Sequence, residues 1–235
     1  MSLPPDIFAG LKPVVRDWPD LGANTLPLSE RRVGNEIQQS LHALSSYASD
    51  FGAALRLFDE SFNEYARATI TNTTNDGLAR MYIAARDGAV TIWNFAKTLE
   101  GISRRVFKDC PTLARHVDRT QLRSANKLLR QLFPDYAPIR HSVAHAEELR
   151  ENAAEHKVDG IVGEVFPTLE SHPLGALHTE ILVRNSLQGR TFRNTFEGQL
   201  RAYEISSDSL GGLNKIKEAT YAAFAHCPTV TSEKQ

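Results

Sequence analysis

The sequence predicts a mainly α-helical fold, an antiparallel helical bundle with a small antiparallel β meander before the C-terminal helix. Three observations support this fold class. Apolar residues recur every three or four positions over long stretches between about residue 30 and residue 155, which is typical of amphipathic helices. After residue 178 the apolar period changes to two, as in half-buried strands. The helical period then returns after Ser206.

Composition and charge limit the classes of protein that the chain can belong to. Its 235 residues are 41% hydrophobic and 23% charged, which suits a sizeable core and argues against disorder. The net charge of -1 gives no global attraction for nucleic acid, so such binding would have to be local. Two cysteines, Cys110 and Cys227, fit neither a disulfide scaffold nor a cysteine-rich zinc site. With no signal sequence and no long apolar run, we expect a cytoplasmic location, no membrane partner and no cofactor.

Four segments are expected along the chain. Residues 1–28 hold five prolines and are predicted to form an irregular arm that lies across the body. Residues 29–156 are expected to form the helical bundle. Residues 157–227 are expected to form a loop, the β meander and the C-terminal helix, packed on the bundle. Residues 228–235 are expected to fray, as chain ends commonly do.

Two long helices are predicted to begin the bundle. The first begins at Ser29, a good cap residue, and Asp50 and Gly52 leave open whether it is continuous. The second is expected from about Asp76 to Val106. The apolar faces of the two helices are formed, in order, by Val33, Ile37, Leu41, Leu44, Ala48, Phe51, Leu55, Phe58, Phe62 and Tyr65, and by Leu78, Tyr82, Ala85, Ala89, Ile92, Trp93, Ala96, Leu99 and Ile102.

Two further helices are predicted before the β meander. Residues 119–133 form an amphipathic helix that Pro134 ends, because a proline disfavours helix at the residue before it. The next helix is expected from about residue 135 to residue 155. The inward residues of the first of these helices are predicted to be Leu122, Leu128, Leu129 and Leu132.

The β meander is expected to contain strands near residues 178–185, 191–196 and 200–205. Gln188-Gly189 and Glu197-Gly198 are predicted to supply its turns. The final helix is expected to begin after Ser206-Ser207-Asp208. The small meander is therefore expected to lie just before this helix.

The segment with the most chemical character is Arg140-His141-Ser142-Val143-Ala144-His145, on the predicted helix from residue 135. An arginine keeps its charge and binds phosphate in a bidentate manner, whereas a histidine titrates near neutral pH and can move protons. On a helix, His141 and His145 share one face, and the long Arg140 side chain can bend toward the same pocket. These residue types suit phosphodiester chemistry.

This Arg-polar-x-x-x-His pattern, late in a helical bundle, resembles the HEPN superfamily, which includes many metal-independent ribonucleases, and in particular its abortive-infection and toxin-like branch. The resemblance implies a homodimer whose two motifs face each other across a cleft and cleave RNA to leave a cyclic phosphate. It assigns Arg140 to the scissile phosphate, His145 to proton transfer, and His141 to orientation or a second proton. It also implies a toxin or phage-defence setting with an antitoxin protein as partner. Glu147 stands where toxins modified by nucleotidyltransferase antitoxins carry tyrosine, which argues against that mode of regulation.

A basic stretch precedes the motif and is the predicted RNA-binding surface. Between residues 104 and 130 the only acids are Asp109 and Asp118. Four of the basic residues recur at spacings of 4, 4 and 3 and so share one helix face: Arg119, Arg123, Lys127 and Arg130. We expect their helix to pair antiparallel with the motif helix and to lead a phosphate backbone toward Arg140. A solvated helix face is the competing interpretation.

Two weaker features support or extend the predicted site. Arg86-Asp87-Gly88 interrupts the second apolar helix, so Gly88 is expected to permit close packing. Asp87 is expected to pair with Arg140 or to orient a histidine, the alternative being a local helix contact. Four arginines of the meander form a second candidate RNA surface: Arg184, Arg190, Arg193 and Arg201.

Other functions stay open at this point. The chain could be a non-catalytic interaction module, with the long apolar stripe of the first helix serving a helix–helix interface. An inert module predicts that Arg140 and His145 are buried or distant, with Arg140 paired to Asp135 or Glu148. A third hypothesis is a metal-binding helical bundle, because His141 and His145 have the spacing of two zinc ligands on a helix.

Overall fold

The computed structural model of the protein describes residues 17–71, 73, 76–144, 158–161, 178–181 and 183–227. The predicted fold class is confirmed, because the described chain is mainly helical and a three-stranded antiparallel sheet precedes the last helix. The first part of the predicted arm, the second half of the predicted motif helix and the predicted frayed tail lie outside the described residues.

Six α-helices are present in the described part of the chain. Their bounds are α1 Leu28–Thr71, α2 Gly77–Asp109, α3 Pro111–Ala114, α4 Arg119–Leu132, α5 Tyr136–Ala144 and α6 Ser207–Ala222. The helices α1 and α2 form a long hairpin, and α6 packs on both α4 and α1. The short helix α5 packs on α2 and on the sheet, so α2 touches most of the other helices.

Five strands are described. Their bounds are β1 Val158–Ile161, β2 His178–Ile181, β3 Ser186–Gln188, β4 Thr191–Phe196 and β5 Gln199–Glu204. The strands β3, β4 and β5 form a meander before the last helix, as predicted, but its first strand is β3 and not the predicted strand at residues 178–185. Part of that predicted strand forms β2, which pairs antiparallel with β1 in a segment that was expected to be a loop. The Glu197-Gly198 turn is as predicted, and both residues have positive φ angles, 50° and 67°. The other turn is Gly189-Arg190, because Gln188 still pairs with Thr191.

The long helix α1 is continuous, which answers the question left open by Asp50 and Gly52. Gly52 is buried beneath Leu210 of α6, and Tyr221 of α6 donates a hydrogen bond to the Leu41 carbonyl, 2.9 Å away. These two contacts place α6 over the first half of α1. Beyond them Phe62 and Tyr65, which were expected in the core, are 43% and 40% exposed.

The described part of the N-terminal arm lies on α1, as predicted for that part. Leu21 is fully buried, and its backbone N–H donates to the Gln38 side chain at 2.7 Å. The ring of Trp18 lies 4.1 Å from that of His42. The cap prediction was wrong by two residues: α1 begins at Leu28, so Pro27 holds the cap position and Ser29 lies inside the helix.

Candidate functional site

The first five of the six motif residues lie on α5, which is held between α2 and the sheet. Ile139 is 1% exposed and packs with Ala85 and Ala89 of α2 and with Phe192 of β4. This apolar contact buries one side of α5 and leaves its remaining sides to carry polar residues. The burial of an aliphatic side chain of this size stabilises the contact by about 1.5–3 kcal/mol.

The turn before α5 is fixed to strand β5 by Asp135. Its carboxylate accepts a hydrogen bond from the Arg201 guanidinium at 3.0 Å and one from the Ala202 backbone N–H at 3.3 Å. Asp135 therefore pairs with Arg201 and not with Arg140, which was one of the two pairs predicted for an inert motif. The other predicted partner of Arg140, Glu148, lies outside the described residues. Arg190 is likewise paired with Asp59, so these two meander arginines hold the sheet on the bundle.

Arg140 projects from α5 toward α2. Its guanidinium carbon lies 4.5 Å from the centre of the Trp93 ring, and both side chains are half-buried. Within the described part of the chain Arg140 forms no ion pair. A guanidinium over an aromatic ring is attracted by the ring and keeps in-plane N–H donors with which it can bind an anion.

The other motif residues have different environments. His141 is exposed, and its ring lies 6.0 Å from that of Phe196 in β4. Ser142 is 1% exposed and donates a hydrogen bond to the Ile139 carbonyl at 2.7 Å. Arg140 and His141 thus meet different neighbours, α2 and β4. His145 lies outside the described residues, so its proximity to Arg140 stays a prediction.

A groove between α2 and α4 contains most of the predicted basic stripe. The groove has a volume of about 650 Å³, and Glu100 is its only acidic lining residue. Its basic lining residues are Arg104, Lys108, Arg119, Arg123 and Arg130. Lys127, the remaining member of the predicted stripe, is exposed but does not line the groove. The excess of cations gives the groove a positive potential, which would attract a polyanion.

The relation between the stripe and the motif differs from the prediction. An antiparallel pair of α4 and α5 was expected, but α4 packs on α6 and α2, and α5 packs on α2 and the sheet. The reason is that α4 packs mainly on α6 while α5 packs on α2 and the sheet, so the break at Pro134 does not turn the chain back along α4. The helices α4 and α5 therefore follow α2 one after the other, and the groove and Arg140 share one side of α2.

Contacts along α2 show how α4 and α5 are aligned with it. Arg119 of α4 lies over the ring of Phe107, 4.8 Å from its centre. Further along, Asn126 donates a hydrogen bond to the Ser103 hydroxyl at 2.9 Å. The contact of Arg140 with Trp93 lies at the far end. Trp93 and Phe107 belong to one series with Lys97, Glu100 and Arg104 at spacings of 4, 3, 4 and 3, so they lie on one helix face.

A hydrogen-bonded cluster separates the groove from Arg140. Tyr136 of α5 donates to the Glu100 carboxylate at 2.6 Å, and Lys97 donates to the same carboxylate at 2.9 Å. Lys97 also lies 5.7 Å from the centre of the Tyr136 ring. Burial and the Glu100 carboxylate raise the pKa of Tyr136 to about 12, so its hydroxyl stays protonated at neutral pH. The one acid of the groove is thus already bound by two donors.

Asp87 does not pair with Arg140. Burial, and then the charge of Asp50 on α1, raise the pKa of its carboxyl. Trp93, the partner of Arg140, comes six residues after Asp87, about 9 Å along the helix axis.

Gly88 permits close packing, as predicted, and the element that packs against it is strand β5. A Cβ added at position 88 would lie 2.7 Å from the Tyr203 hydroxyl of β5.

Sequence reasoning missed the aromatic partners of the basic residues. The signal was present, because Trp93, Lys97, Glu100, Arg104 and Phe107 recur at spacings of 4, 3, 4 and 3. What was absent from the pattern was the register of α4 and α5 along this face. Only the folded chain places Arg119 on Phe107 and Arg140 on Trp93.

Three other features bear on function. In the ranges that the structure describes, no three His, Cys, Asp or Glu side chains come together in a way that could hold a metal ion. No helix among the described residues has the length and apolar character needed to cross a membrane. Cys110 and Cys227 are buried free thiols, and burial raises the pKa of each to about 11.

Comparisons with protein-family models, with curated proteins and with solved structures find no match to this chain.

Proposed function

We propose that the protein binds RNA along the basic side of α2 and cleaves it without a metal ion at the motif that contains Arg140. The observation that carries this proposal is the placement of Arg140. It is half-exposed on Trp93, without an ion pair in the described part of the chain, and lies on the same side of α2 as the basic groove. An RNA held in the groove would be led toward this guanidinium.

The chemistry assigned to the motif is a transesterification. A histidine accepts the proton of a ribose 2′-hydroxyl, whose oxygen attacks the adjacent phosphorus, and the bond to the 5′-oxygen breaks. A second proton donor protonates that leaving oxygen, and the product is a 2′,3′-cyclic phosphate. Arg140 would neutralise the charge that develops on the phosphate oxygens. His145 is proposed for proton transfer, and His141 for orientation or the second proton.

The test is cleavage of end-labelled RNA in EDTA by the wild-type protein and by Arg140→Ala, His141→Ala and His145→Ala. The proposal expects cleavage by the wild type and its loss in Arg140→Ala and His145→Ala. Arg67→Ala, a change at an exposed arginine far along α1, should retain activity. Circular dichroism and thermal melts establish that each variant is folded. An inactive wild type over several RNAs, with folded protein, would remove the nuclease from the proposal.

A second candidate is a non-catalytic helical module that associates with a second copy. It is favoured by large apolar side chains exposed at the end of the α1–α2 hairpin: Phe62, Tyr65, Ile70, Leu78 and Ile83. Clusters of this kind commonly mark interaction surfaces. Light scattering on Phe62→Ser and Ile83→Ser tests it: dissociation of a wild-type dimer supports the module, and an unchanged molar mass argues against this surface.

A further inference from the structure

We infer that the RNA bound at this site is single-stranded and lies along α2 from Phe107 to Trp93, a surface that we call the α2 track. This inference rests on the proposed function. The track is marked by three cation–aromatic pairs on one side of α2: Arg119 with Phe107, Lys97 with Tyr136, and Arg140 with Trp93.

Each arginine of the track suits one nucleotide. The ring beneath holds the guanidinium, whose outer face can stack with a base and whose N–H edges can bind a phosphate. Arg119 is exposed and Arg140 is half-exposed, so both are accessible to a ligand. Since every base has a flat face, such contacts tolerate different sequences.

The middle of the track is not repulsive to phosphate. Its one acid, Glu100, is paired with the Lys97 cation, which balances its charge, and its other oxygen accepts a hydrogen bond from Tyr136. On the Phe107 side the groove adds Arg104 and Arg123 to the cations that would meet a backbone. A strand can therefore pass from the groove to Arg140 without meeting an unbalanced negative charge in the middle of the track.

Stacking on the track requires bases that are not already stacked within a duplex. A double helix would offer its phosphates to the exposed cations but would hide its base faces. We therefore expect duplex RNA to use only the electrostatic part of the site and to bind less tightly than a single strand of the same length.

The length of the track sets a minimum length for its ligand. Trp93 and Phe107 are fourteen positions apart in α2, which is about 21 Å along the axis. A stacked strand advances about 3.4 Å per nucleotide, so about seven nucleotides reach from one end to the other. Shorter RNAs are expected to bind in the groove, where most of the cations lie.

The experiment is fluorescence anisotropy with labelled single-stranded oligonucleotides of about three to twelve nucleotides, a range that brackets the track, and with the longest one annealed to its complement as a duplex. The RNAs carry 2′-O-methyl groups, which remove the attacking hydroxyl and prevent cleavage without changing the protein. The proteins are the wild type, Arg119→Glu in the groove, Arg140→Ala at the far end, and Arg67→Glu as a charge-matched control on α1. Of the three substituted side chains, Arg67 and Arg119 are exposed and Arg140 is half-buried, and thermal melts verify that each variant folds.

The expected result is a wild-type affinity that rises with length and levels off near seven nucleotides. Arg119→Glu should weaken RNAs of every length by at least about fivefold. Arg140→Ala should weaken the binding only of RNAs long enough to span the track. Arg67→Glu should leave the affinity for every RNA unchanged.

Two results would overturn the track. One is an equal effect of Arg140→Ala at all lengths, and the other is duplex binding as tight as single-strand binding. If the wild type nevertheless cleaves RNA in EDTA, the proposed function stands and only the track is wrong. If no RNA of any length binds, the track and the proposed function fail together.

Discussion

The guanidinium of Arg140 lies 4.5 Å from the centre of the Trp93 ring. The contact joins the motif helix α5 to the long helix α2, and it keeps a half-exposed cation on the side of α2 that also carries the basic groove. The proposed role of Arg140 depends on this placement, because a guanidinium that contacts a phosphate transition state must already be oriented. Trp93 is therefore the positioning residue of the proposed site.

Replacing Trp93 should reduce activity without removing it. Trp93→Ala is expected to lower kcat/KM for RNA cleavage by about twofold to thirtyfold, the range that follows from a cation–π contact of about 0.5–2 kcal/mol. Trp93→Phe keeps a ring and should retain most of the activity. A Trp93→Ala protein as active as the wild type, beside an inactive Arg140→Ala, would show that the ring does not position the guanidinium.

Gly88 should be required for the docking of strand β5. A Cβ at position 88 would lie 2.7 Å from the Tyr203 hydroxyl and 3.3 Å from the Phe51 ring. Because this contact would be overpacked, Gly88→Ala should lower the free energy of unfolding by about 1–3 kcal/mol. Gly101→Ala is the matched control in the same helix, where the added Cβ would meet only the tip of Arg105 at 3.5 Å. It should be neutral or stabilise by up to about 1 kcal/mol.

Urea denaturation measures both glycine variants. Adding Tyr203→Phe to Gly88→Ala removes the hydroxyl that the new methyl group would meet, and should recover part of the lost stability. Equal effects of Gly88→Ala and Gly101→Ala would contradict the close packing of β5 against α2.

The pair of Asp135 and Arg201 should stabilise more than an exposed pair does. The side chains of Asp135 and Arg201 are 22% and 24% exposed. Arg201→Ala would leave the partly buried Asp135 carboxylate without its partner, which should lower the free energy of unfolding by about 1–3 kcal/mol. Arg32→Ala breaks a pair whose side chains are 82% and 36% exposed, and should cost less than about 0.5 kcal/mol. Thermal melts of the two variants at low salt compare them, and the reverse order would contradict this assignment.

Glu30 should make stability depend on pH. Its carboxylate is 9% exposed and accepts hydrogen bonds from the Thr112 N–H at 3.0 Å, the Thr112 hydroxyl at 2.9 Å and the Cys110 thiol at 3.2 Å. Burial raises the pKa of this carboxyl, but the hydrogen bonds outweigh burial and the net pKa lies below the usual glutamate range. A lowered pKa in the folded state contributes stability above the unfolded-state pKa, which is lost as the pH falls through the folded-state pKa.

Glu30→Gln tests this dependence. At neutral pH the variant should melt below the wild type, and the difference should shrink as the pH falls through the acid range. Glu60→Gln, at an exposed position of the same helix, should melt like the wild type at every pH. A Glu30→Gln deficit that is constant with pH would mean that the charge of the carboxylate is not what stabilises the contact.

Much of the fold followed from the periodicity of the sequence. The helices at Gly77–Asp109 and Arg119–Leu132 and the strand at Thr191–Phe196 lie within a few residues of their predicted bounds, because apolar spacing and turn residues act locally. Periodicity identifies an apolar face but not what covers it. Leu78 and Leu132 were therefore expected to be inward, although they are 41% and 44% exposed.

The site was less predictable than the fold. The motif and the basic stripe were visible as residue types, but the partner of Arg140 depends on how α5 packs along α2. The contact of Glu30 with Cys110 likewise joins residues 80 positions apart, and no local pattern encodes it. Such long-range contacts arise from packing, and the placement of Trp93 beneath Arg140 is one of them.

The most direct test of the central claim is the identity of the RNA ends formed in EDTA by the wild-type protein and by Arg140→Ala, measured by mass spectrometry. If the motif cleaves RNA as proposed, the wild type should form 2′,3′-cyclic phosphate ends and the folded Arg140→Ala variant should form none. Cyclic phosphate ends in equal yield from both proteins would contradict the claim, because the chemistry would then proceed without Arg140.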